Sequence, residues 1–290
     1  PAGFSVGPLT VNFYGICIAT GLLLAVLYGC LHCKRFGFRQ DDILDGVLWI
    51  VPFAILCARQ YYCAFRWDLY RENPISILYI WQGGLAIYGG VLGAILGVAV
   101  FCRIKKIKLP ALLDLVAMGF LIGQSIGRWG NFFNMEAHGS VVTRNFLESL
   151  HLPEFIIDGM YIEGSYYHPT FLYESIWNIG IFIFLWIFRK KKQYEGEVIV
   201  LYTILYSLGR FFIEGLRTDS LMIGPFRMAQ VISLVGVIGG IIVHIYLSKK
   251  SKQEENVEEN AQENAQENAQ ENAQESAQEN AQENVQGNVK

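Results

Sequence analysis

The chain has 290 residues, of which 52% are hydrophobic, and its formal net charge at pH 7 is −3. Residues 251–290 contain ten Glu and two Lys, whereas residues 1–250 contain 21 basic and 16 acidic residues and are roughly 57% hydrophobic. Soluble domains average about 45–50%, so residues 1–250 are neither an ordinary soluble enzyme nor a disordered chain. They carry no broad basic surface either, which argues against nucleic-acid binding.

Long apolar runs predict an all-α polytopic membrane protein. A helix needs about 20 mostly apolar residues to cross a hydrocarbon core that is ~30 Å thick. Seven segments meet this requirement, although Arg59 and Arg210 lower the hydropathy of the second and the sixth, and the third is rich in Gly, which lets helices approach closely in lipid. We predict seven transmembrane helices at roughly 12–31, 44–65, 83–102, 110–127, 171–188, 197–213 and 226–247.

The basic residues predict the orientation of these helices, because Lys and Arg are enriched in cytoplasmic loops. Fourteen of the 23 Lys and Arg residues follow the first, third, fifth and seventh spans. We therefore expect the N-terminus outside and the C-terminus in the cytoplasm. The clusters are Lys34, Arg35 and Arg39; Arg103, Lys105, Lys106 and Lys108; Arg189, Lys190, Lys191 and Lys192; and Lys249, Lys250 and Lys252.

Two segments lie outside the predicted helices. Residues 128–170 form a long connection on the outer side, and a connection of that length is usually functional or has a small fold of its own. Residues 251–290 repeat Ala-Gln-Glu-Asn and have no apolar stripe, so we expect a disordered acidic tail in the cytoplasm. The predicted domains are a seven-helix domain at 1–250, which includes this outer loop or head, and the tail at 251–290.

Cys30 and Cys33 form a C-x-x-C motif, a spacing that occurs in redox and zinc sites. No second pair follows, and the cytoplasmic side is reducing. We interpret all six Cys as small apolar residues of the helices, and we expect no metal site.

Ionisable side chains within a membrane span are costly, so they indicate function. In the predicted orientation the polar side chains of at least six segments fall at the depth of the outer leaflet. These are Tyr14, Arg59, Tyr88, Arg128, Asn131, Asn134, Glu136, His138, Tyr173, Glu174 and Arg210.

The sixth span places four polar residues on one helical face, because Tyr206, Arg210, Glu214 and Arg217 are spaced by four, four and three. One interpretation is structural: Glu214 forms salt bridges with both arginines and only stabilises the helix. Over the whole outer set, however, four Arg outnumber three Glu. A surplus of guanidinium groups at low dielectric indicates a bound anion, such as the phosphate of an outer-leaflet lipid. The residues counted are Arg59, Arg128, Arg210 and Arg217 against Glu136, Glu174 and Glu214.

Residues 127–139 read Gly-Arg-Trp-Gly-Asn-Phe-Phe-Asn-Met-Glu-Ala-His-Gly. Glycine permits unusual backbone angles and close approach to a ligand, and Asn offers both donors and acceptors to a polar headgroup. An interfacial turn with aromatic belt residues is the alternative. The polar functions between glycines favour a binding site.

This stretch resembles the G-R-x-G-N-F-x-N-x-E-x-x-G signature of prolipoprotein diacylglyceryl transferases. The resemblance extends over most of residues 10–247 and leaves out the tail. It includes Tyr14-Gly15, the pairs Gly83-Gly84 and Gly89-Gly90, the His168-Pro169-Thr170-x-Leu172-Tyr173-Glu174 motif, and Tyr206, Arg210, Glu214 and Arg217.

The resemblance implies a bacterial plasma-membrane enzyme that moves the diacylglyceryl group of phosphatidylglycerol to the lipobox cysteine of a preprolipoprotein. A thioether forms and glycerol phosphate leaves. The resemblance implies essential roles for Arg128 and Arg210, and supporting ones for Tyr14, Asn131, Glu136, Tyr206, Glu214 and Arg217. We expect no cofactor, and a monomer.

One position departs from the family's enterobacterial members, which have a His proposed as the base before Gly89-Gly90, where this chain has Tyr88. A phenol ordinarily ionises only near pH 10, so Tyr88 in this catalytic position is a poor base. Either another group helps the thiol to ionise or the arginines lower the pKa of the thiol directly. Glu136, His138 and His168 are the other candidate bases.

From the residues we expect Arg128 and Arg210 to clamp the leaving phosphate, where charge builds up during transfer. Asn131 and Glu136 then orient the headgroup glycerol, and Tyr14 and Tyr206 hydrogen-bond nearby. Two other interpretations remain open at this stage. A transporter for an anionic solute also needs Arg within the membrane, but it usually has internal repeats and a midplane site; a lipid-binding receptor would bind the lipid without forming a thioether.

Overall fold

The computed structural model describes residues 3–6, 9–80 and 83–287, and most of them are helical. The long helices are α1 (Phe13–His32), α2 (Gln40–Phe65), α3 (Ile87–Lys105), α4 (Leu109–Asn134), α7 (Thr170–Phe188), α8 (Glu197–Leu216) and α9 (Met228–Gly287). Two short helices, α5 (Arg144–Ser149) and α6 (Glu154–Gly159), lie between α4 and α7. The chain divides into two compact units, Pro1–Ile241 and Ile242–Lys290.

The strands are short and antiparallel. A hairpin of β1 (Gly3–Val6) and β2 (Leu9–Asn12) precedes α1, and another of β6 (Met222–Ile223) and β7 (Phe226–Arg227) precedes α9. Between α4 and α7, β5 (Ser165–Tyr167) pairs with both β3 (Val141–Val142) and β4 (Tyr161–Ile162). These strands, with α5 and α6, cover a small separate core that includes Leu147, Ile157 and Met160.

Within the described ranges, six helices are long and apolar enough to cross a membrane: α1, α3, α4, α7, α8 and α9. The protein is therefore an all-α polytopic membrane protein. The remaining long helix, α2, has 26 residues, which correspond to about 39 Å, but it carries Arg59, Pro52 and an acidic first turn. Its place as a seventh span stays a prediction.

Glycines bring the helices into close contact, as predicted for the third span. A Cβ at Gly89 would lie 2.4 Å from Cβ of Tyr61, and one at Gly93 would lie 2.6 Å from Cβ of Cys57, so α3 packs directly on α2. Lipid tails are as apolar as Leu, so helix association in membranes depends on such close packing.

The main core lies among α1, α4, α7 and α8, where Met118, Leu121 and Leu185 are fully buried. Cys33 is also fully buried there, and its thiol donates to the carbonyl of Cys30 at 3.2 Å. The six cysteines are free thiols.

The boundaries of two predicted segments differ most from the structure. Helix α4 continues to Asn134, seven residues beyond the predicted end at 127, so the outer connection is shorter than predicted. Helix α9 carries helical backbone into the acidic repeat as far as Gly287. The predicted disorder of 251–290 stays a prediction, and 288–290 lie outside the described residues.

Candidate active site

The 127–139 stretch forms the end of α4 and the turn that follows. Met135 and Ala137, on either side of Glu136, have φ angles of 54° and 59°. Non-glycine residues seldom adopt this left-handed conformation. It ends the helix at Asn134 and turns the chain, while the carbonyl of Ala137 accepts a hydrogen bond of 2.6 Å from the Thr170 hydroxyl at the start of α7.

Arg128 and Arg210 meet at one carboxylate, that of Glu174. Arg128 Nη2 lies 2.7 Å from Glu174 Oε1, and Arg210 Nη1 lies 2.9 Å from Glu174 Oε2. Helices α4 and α8 end on the side of the bundle where α7 begins. The last turns of α4 and α8 therefore lie at the same level as the first turns of α7. The structure thus brings together the two arginines predicted from sequence.

Two further groups complete the Glu174 cluster, which we define as Arg128, Glu174, Tyr206, Arg210 and Glu214. Glu214 Oε2 lies 2.6 Å from Arg210 Nη2, and the Tyr206 hydroxyl lies 3.4 Å from Glu174 Oε1. Glu174 and Glu214 are each 3% exposed, whereas Arg128 and Arg210 are 22% and 17% exposed. The carboxylates therefore form the buried floor of the cluster, and the guanidinium groups lie above them.

The predicted surplus of positive charge at the site is wrong. Within the Glu174 cluster two guanidinium groups face two carboxylates. Arg217 does not pair with Glu214 but with Asp219, through contacts of 2.9 and 2.8 Å. Burial alone would lower the pKa of Arg217, but the contacts with Asp219 have the larger effect, so the pKa of Arg217 is raised. Arg217 in turn lowers the pKa of Asp219.

Arg59 accounts for the rest of that error, because its guanidinium is used for structure. It is 4% exposed and donates to four backbone carbonyls, at 2.7 Å to Ser76, 2.9 Å to Ile77, 2.7 Å to Gly83 and 3.0 Å to Gly84. These bonds fasten the α2–α3 connection to α2. Arg59 is therefore not part of a cationic pocket with Arg128 and Arg210.

Asn131 extends the Glu174 cluster toward the turn. Its side-chain oxygen accepts from Arg128 Nη1 at 3.2 Å, and its amide nitrogen donates to Glu136 Oε1 at 2.9 Å. Asn131, Glu136 and His138 also line a small cavity beneath the turn. The predicted group of Arg128, Asn131 and Glu136 is therefore continuous.

Tyr14 reaches the site by packing rather than by hydrogen bonding. A Cβ at Gly130 would lie 2.7 Å from the Tyr14 ring, so glycine at this position lets the ring pack directly against α4, between Arg128 and Asn131 in sequence. The Tyr14 side chain is 36% exposed. In the part of the chain that the structure describes, its hydroxyl makes no hydrogen bond.

Tyr88 is not joined to the Glu174 cluster. It is the second residue of α3 and is 56% exposed, and among the described residues no hydrogen bond is made by its hydroxyl. The structure thus leaves its predicted catalytic role as a prediction.

The two histidines considered as bases flank the turn. His138 packs against Tyr167, with ring centroids 4.1 Å apart and the ring planes tilted by 45°. His168 Nδ1 lies 3.2 Å from the Tyr173 hydroxyl, and burial lowers the pKa of His168. Gly139 lies between them and the end of α8, since a Cβ there would be 2.5 Å from His168 Cβ and 3.1 Å from the Leu216 carbonyl.

Glu174 belongs to the predicted outer polar set and to a motif, but the sequence analysis assigns it no role at the site. Its signal in the sequence was an acidic residue in the first turns of a strongly apolar helix. Only the fold shows that this carboxylate is shared by arginines 46 and 36 positions away.

Comparisons with known proteins agree with these motifs. The family model of prolipoprotein diacylglyceryl transferase matches residues 1–246. Proteins named phosphatidylglycerol–prolipoprotein diacylglyceryl transferase are similar to this chain in Bacillus cytotoxicus (50% identity over 86% of this chain and 92% of the relative) and in Clostridioides difficile (50% over 86% and 96%). One in Listeria monocytogenes is 49% identical over 86% of this chain and 90% of its own length. The chain therefore belongs to the prolipoprotein diacylglyceryl transferase family.

Proposed function

We propose that this protein transfers the diacylglyceryl group of phosphatidylglycerol to the lipobox cysteine of a prolipoprotein. The observation that carries the proposal is the convergence of Arg128 and Arg210 on Glu174 at one end of an apolar bundle. Relatives with about 50% identity carry the name of this activity. Family membership favours it over anion transport and over lipid binding without chemistry.

The reaction exchanges one bond at a glycerol carbon of the lipid. The cysteine sulfur, as a thiolate, forms a bond to this carbon while the bond between the carbon and a phosphate oxygen breaks. The thiol proton passes to a base, and glycerol phosphate leaves with the bonding electron pair. Negative charge grows on the phosphate, and preorganised donors in a water-poor site stabilise such charge most effectively.

The existing ion pairs leave room for a phosphate. A guanidinium group has five N–H donors, and each arginine uses its two Nη atoms toward protein acceptors. Glu174 and Glu214 are nearly inaccessible, whereas both arginines are partly exposed. A phosphate thus binds on the exposed side of the arginines, and the carboxylates beneath hold the two guanidinium groups in place.

The neighbouring residues supply supporting roles. Asn131 and Glu136 orient the glycerol of the headgroup, and Tyr14 and Tyr206 offer hydroxyl groups on either side. Glu214 and Arg217 hold the end of α8. Tyr88, Glu136, His138 and His168 are the candidates for the base that accepts the thiol proton.

The transfer takes place at the outer leaflet of the bacterial plasma membrane, where secreted prolipoproteins emerge. The chain crosses this membrane seven times, with α2 as the second span, its N-terminus outside and the segment between α4 and α7 as an outer head. The distribution of Lys and Arg supports this orientation.

The test is a transfer assay with the purified protein in phosphatidylglycerol bilayers and a peptide that carries a lipobox cysteine. Mass spectrometry of the thioether product measures the rate. We expect Arg128→Ala and Arg210→Ala each to lower kcat by at least about 100-fold, as for the loss of a donor that stabilises transition-state charge. Arg103→Ala, which removes an exposed charge at the other end of the bundle, is the matched control. Rates near wild type in both variants would overturn the clamp, and the absence of any thioether with the wild-type protein would overturn the function.

A further inference from the structure

Arg189, at the opposite end of α7 from Glu174, is a buried cation without a carboxylate partner in the described ranges. It is 8% exposed, and its Nη1 donates to the Tyr28 hydroxyl at 2.6 Å. Its guanidinium carbon lies 3.7 Å from the centroid of the Trp186 ring. Nε and Nη2 are buried, and no hydrogen-bond partner for either lies in the described part of the chain.

The geometry of these two nitrogens is informative. Nε and Nη2 lie along the same edge of the planar guanidinium group, with their N–H bonds nearly parallel. This edge matches two oxygens of a phosphate or carboxylate. A buried charged group with two unsatisfied donors is costly, and the paired donors of Arg189 have the pattern that two oxygens of an anion would satisfy.

The electrostatic surroundings favour an anion as well. Burial lowers the pKa of Arg189, Tyr28 opposes this, and the like charge of Arg35 adds to the lowering. Exposed lysines add to this positive charge: Lys34 is next to Arg35 in sequence, and Lys190 and Lys191 follow Arg189. Lys192 differs from them because it pairs with Asp114 at 3.3 Å.

Aromatic rings hold the site in shape. The His32 ring stacks on Tyr28 with centroids 4.5 Å apart and meets Trp186 at 4.9 Å. Tyr28 and His32 belong to α1, and Trp186 to α7. The guanidinium group is thus fixed where two apolar helices end, with one face covered by an indole.

We propose that Arg189 binds the phosphate of a phospholipid headgroup in the leaflet opposite the Glu174 cluster. Arg189 lies 15 residues along α7 from Glu174, which is about 22 Å of helix, and it directly follows the last residue of an apolar helix. Lipid phosphates lie at this depth, and basic pockets between helices bind anionic headgroups. Because both nitrogens are buried, binding at this edge requires neighbouring side chains to move aside. The site is distinct from the transfer site and does not depend on the transfer reaction.

The experiment measures thermal unfolding of the full chain in neutral phosphatidylcholine nanodiscs with and without phosphatidic acid, an anionic lipid that lacks the glycerol headgroup. We expect phosphatidic acid to raise the Tm of the wild-type protein by about 2–4 °C. Arg189→Gln should abolish this rise. Arg189→Lys, which keeps the charge but lacks the paired N–H donors, should reduce it. The Lys variant replaces the Gln variant in the test if the Gln variant does not fold.

Two controls decide where the lipid acts. Lys190→Gln removes the neighbouring exposed charge and should keep most of the rise, and Arg210→Gln removes a cation of the Glu174 cluster and should also keep it. An equal rise in wild type and Arg189→Gln, or a rise that only Arg210→Gln abolishes, overturns the site.

A third arm tests inorganic phosphate in lipid-free detergent. An equally large rise in Tm that depends on Arg189 would overturn a lipid as the source of the phosphate, and no rise supports a lipid source.

Discussion

At the residue scale, the site depends on a carboxylate that serves two cations. Glu174 holds guanidinium groups from α4 and α8 about 3 Å away on its two oxygens. Burying one charge alone within a membrane is expensive, but a buried carboxylate between two partly exposed arginines is compensated on both sides. The arrangement keeps two like charges close together.

Replacing this carboxylate should therefore damage catalysis more than substrate binding. Glu174→Gln keeps the shape and leaves the two guanidinium groups to repel each other, so we expect kcat to fall by about 100-fold and the protein to lose about 3 kcal/mol of stability. Transfer kinetics and thermal unfolding measure the two effects. Glu148→Gln removes an exposed carboxylate paired with Arg144 and is the control; a Glu174→Gln enzyme with normal kcat would contradict the role.

The burial of His168 predicts how the stability of the protein depends on pH. Its pKa in the folded protein is lowered by burial, whereas the unfolded chain has the ordinary value of about 6.5. The unfolded state thus binds more protons over this range, and stability that is present above about pH 6.5 is lost as the pH falls through the folded pKa. We expect the Tm of the wild-type protein to fall more steeply over mildly acidic pH than that of His168→Asn. Parallel curves would contradict the assignment.

At the element scale, α2 and α3 act as one hairpin because glycines and Arg59 bind them together. Gly89 and Gly93 place the two backbones in contact, and the Arg59 bonds fasten the connection between them. Ala58 strengthens this fastening, since its carbonyl accepts a 3.1 Å bond from the nitrogen of Ala86. Tyr88 follows directly, so the same contacts set its position.

Two adjacent glycines test the helix contact. A Cβ at Gly89 would meet Tyr61 Cβ at 2.4 Å and the Cys57 carbonyl at 2.6 Å, whereas one at Gly90 would meet Ala58 Cβ at an ordinary 3.6 Å. We expect Gly89→Ala to lower stability by about 1–3 kcal/mol through overpacking and Gly90→Ala to change it little. Thermal unfolding of both variants in the same bilayer measures the difference; equal effects would show that α2 and α3 are not held this closely.

Arg59 offers a second test of the hairpin. Arg59→Met leaves four carbonyls without their donor, so we expect a loss of at least about 3 kcal/mol of stability and faster hydrogen exchange in residues 73–80 and 83–86. Arg59→Lys, with one ammonium group, should keep only part of the stability that Arg59 provides. Arg66→Met removes a largely exposed arginine of the same region and is the control. Unchanged exchange in Arg59→Met would refute the fastening role.

At the scale of the whole molecule, the sequence was enough for the helical class and for most helix boundaries, because apolar runs and Gly patterns are local signals. The end of α4 was missed, since Asn131 and Asn134 suggest a loop although the helix includes both. The charge balance of the site was also missed. The carbonyls that hold Arg59 lie 17–25 residues away from it, so its structural role depends on contacts that hydropathy does not reveal. Asp219 is a local partner of Arg217, two residues along the chain, and it lies outside the predicted helices and motifs.

The seven-span arrangement makes a prediction about sidedness. If α2 crosses the membrane, positions 34 and 72, on either side of it, face opposite compartments. In a chain without its native cysteines, we expect a membrane-impermeant thiol reagent to label Glu72→Cys in intact cells and to label Lys34→Cys only after the membrane is opened. Labelling of both positions from outside would contradict seven spans.

The Glu174 cluster has a consequence for how the helices settle against one another during insertion. Apolar side chains pack against one another in lipid without directional bonds, whereas an ion pair requires particular atoms to meet. A slip of α8 by one residue would turn Arg210 by about 100° around the axis of that helix and leave Arg128 as the single guanidinium partner of the buried Glu174 carboxylate. The ion pairs of Glu174 with Arg128 and Arg210 would thus favour a single alignment of α4, α7 and α8.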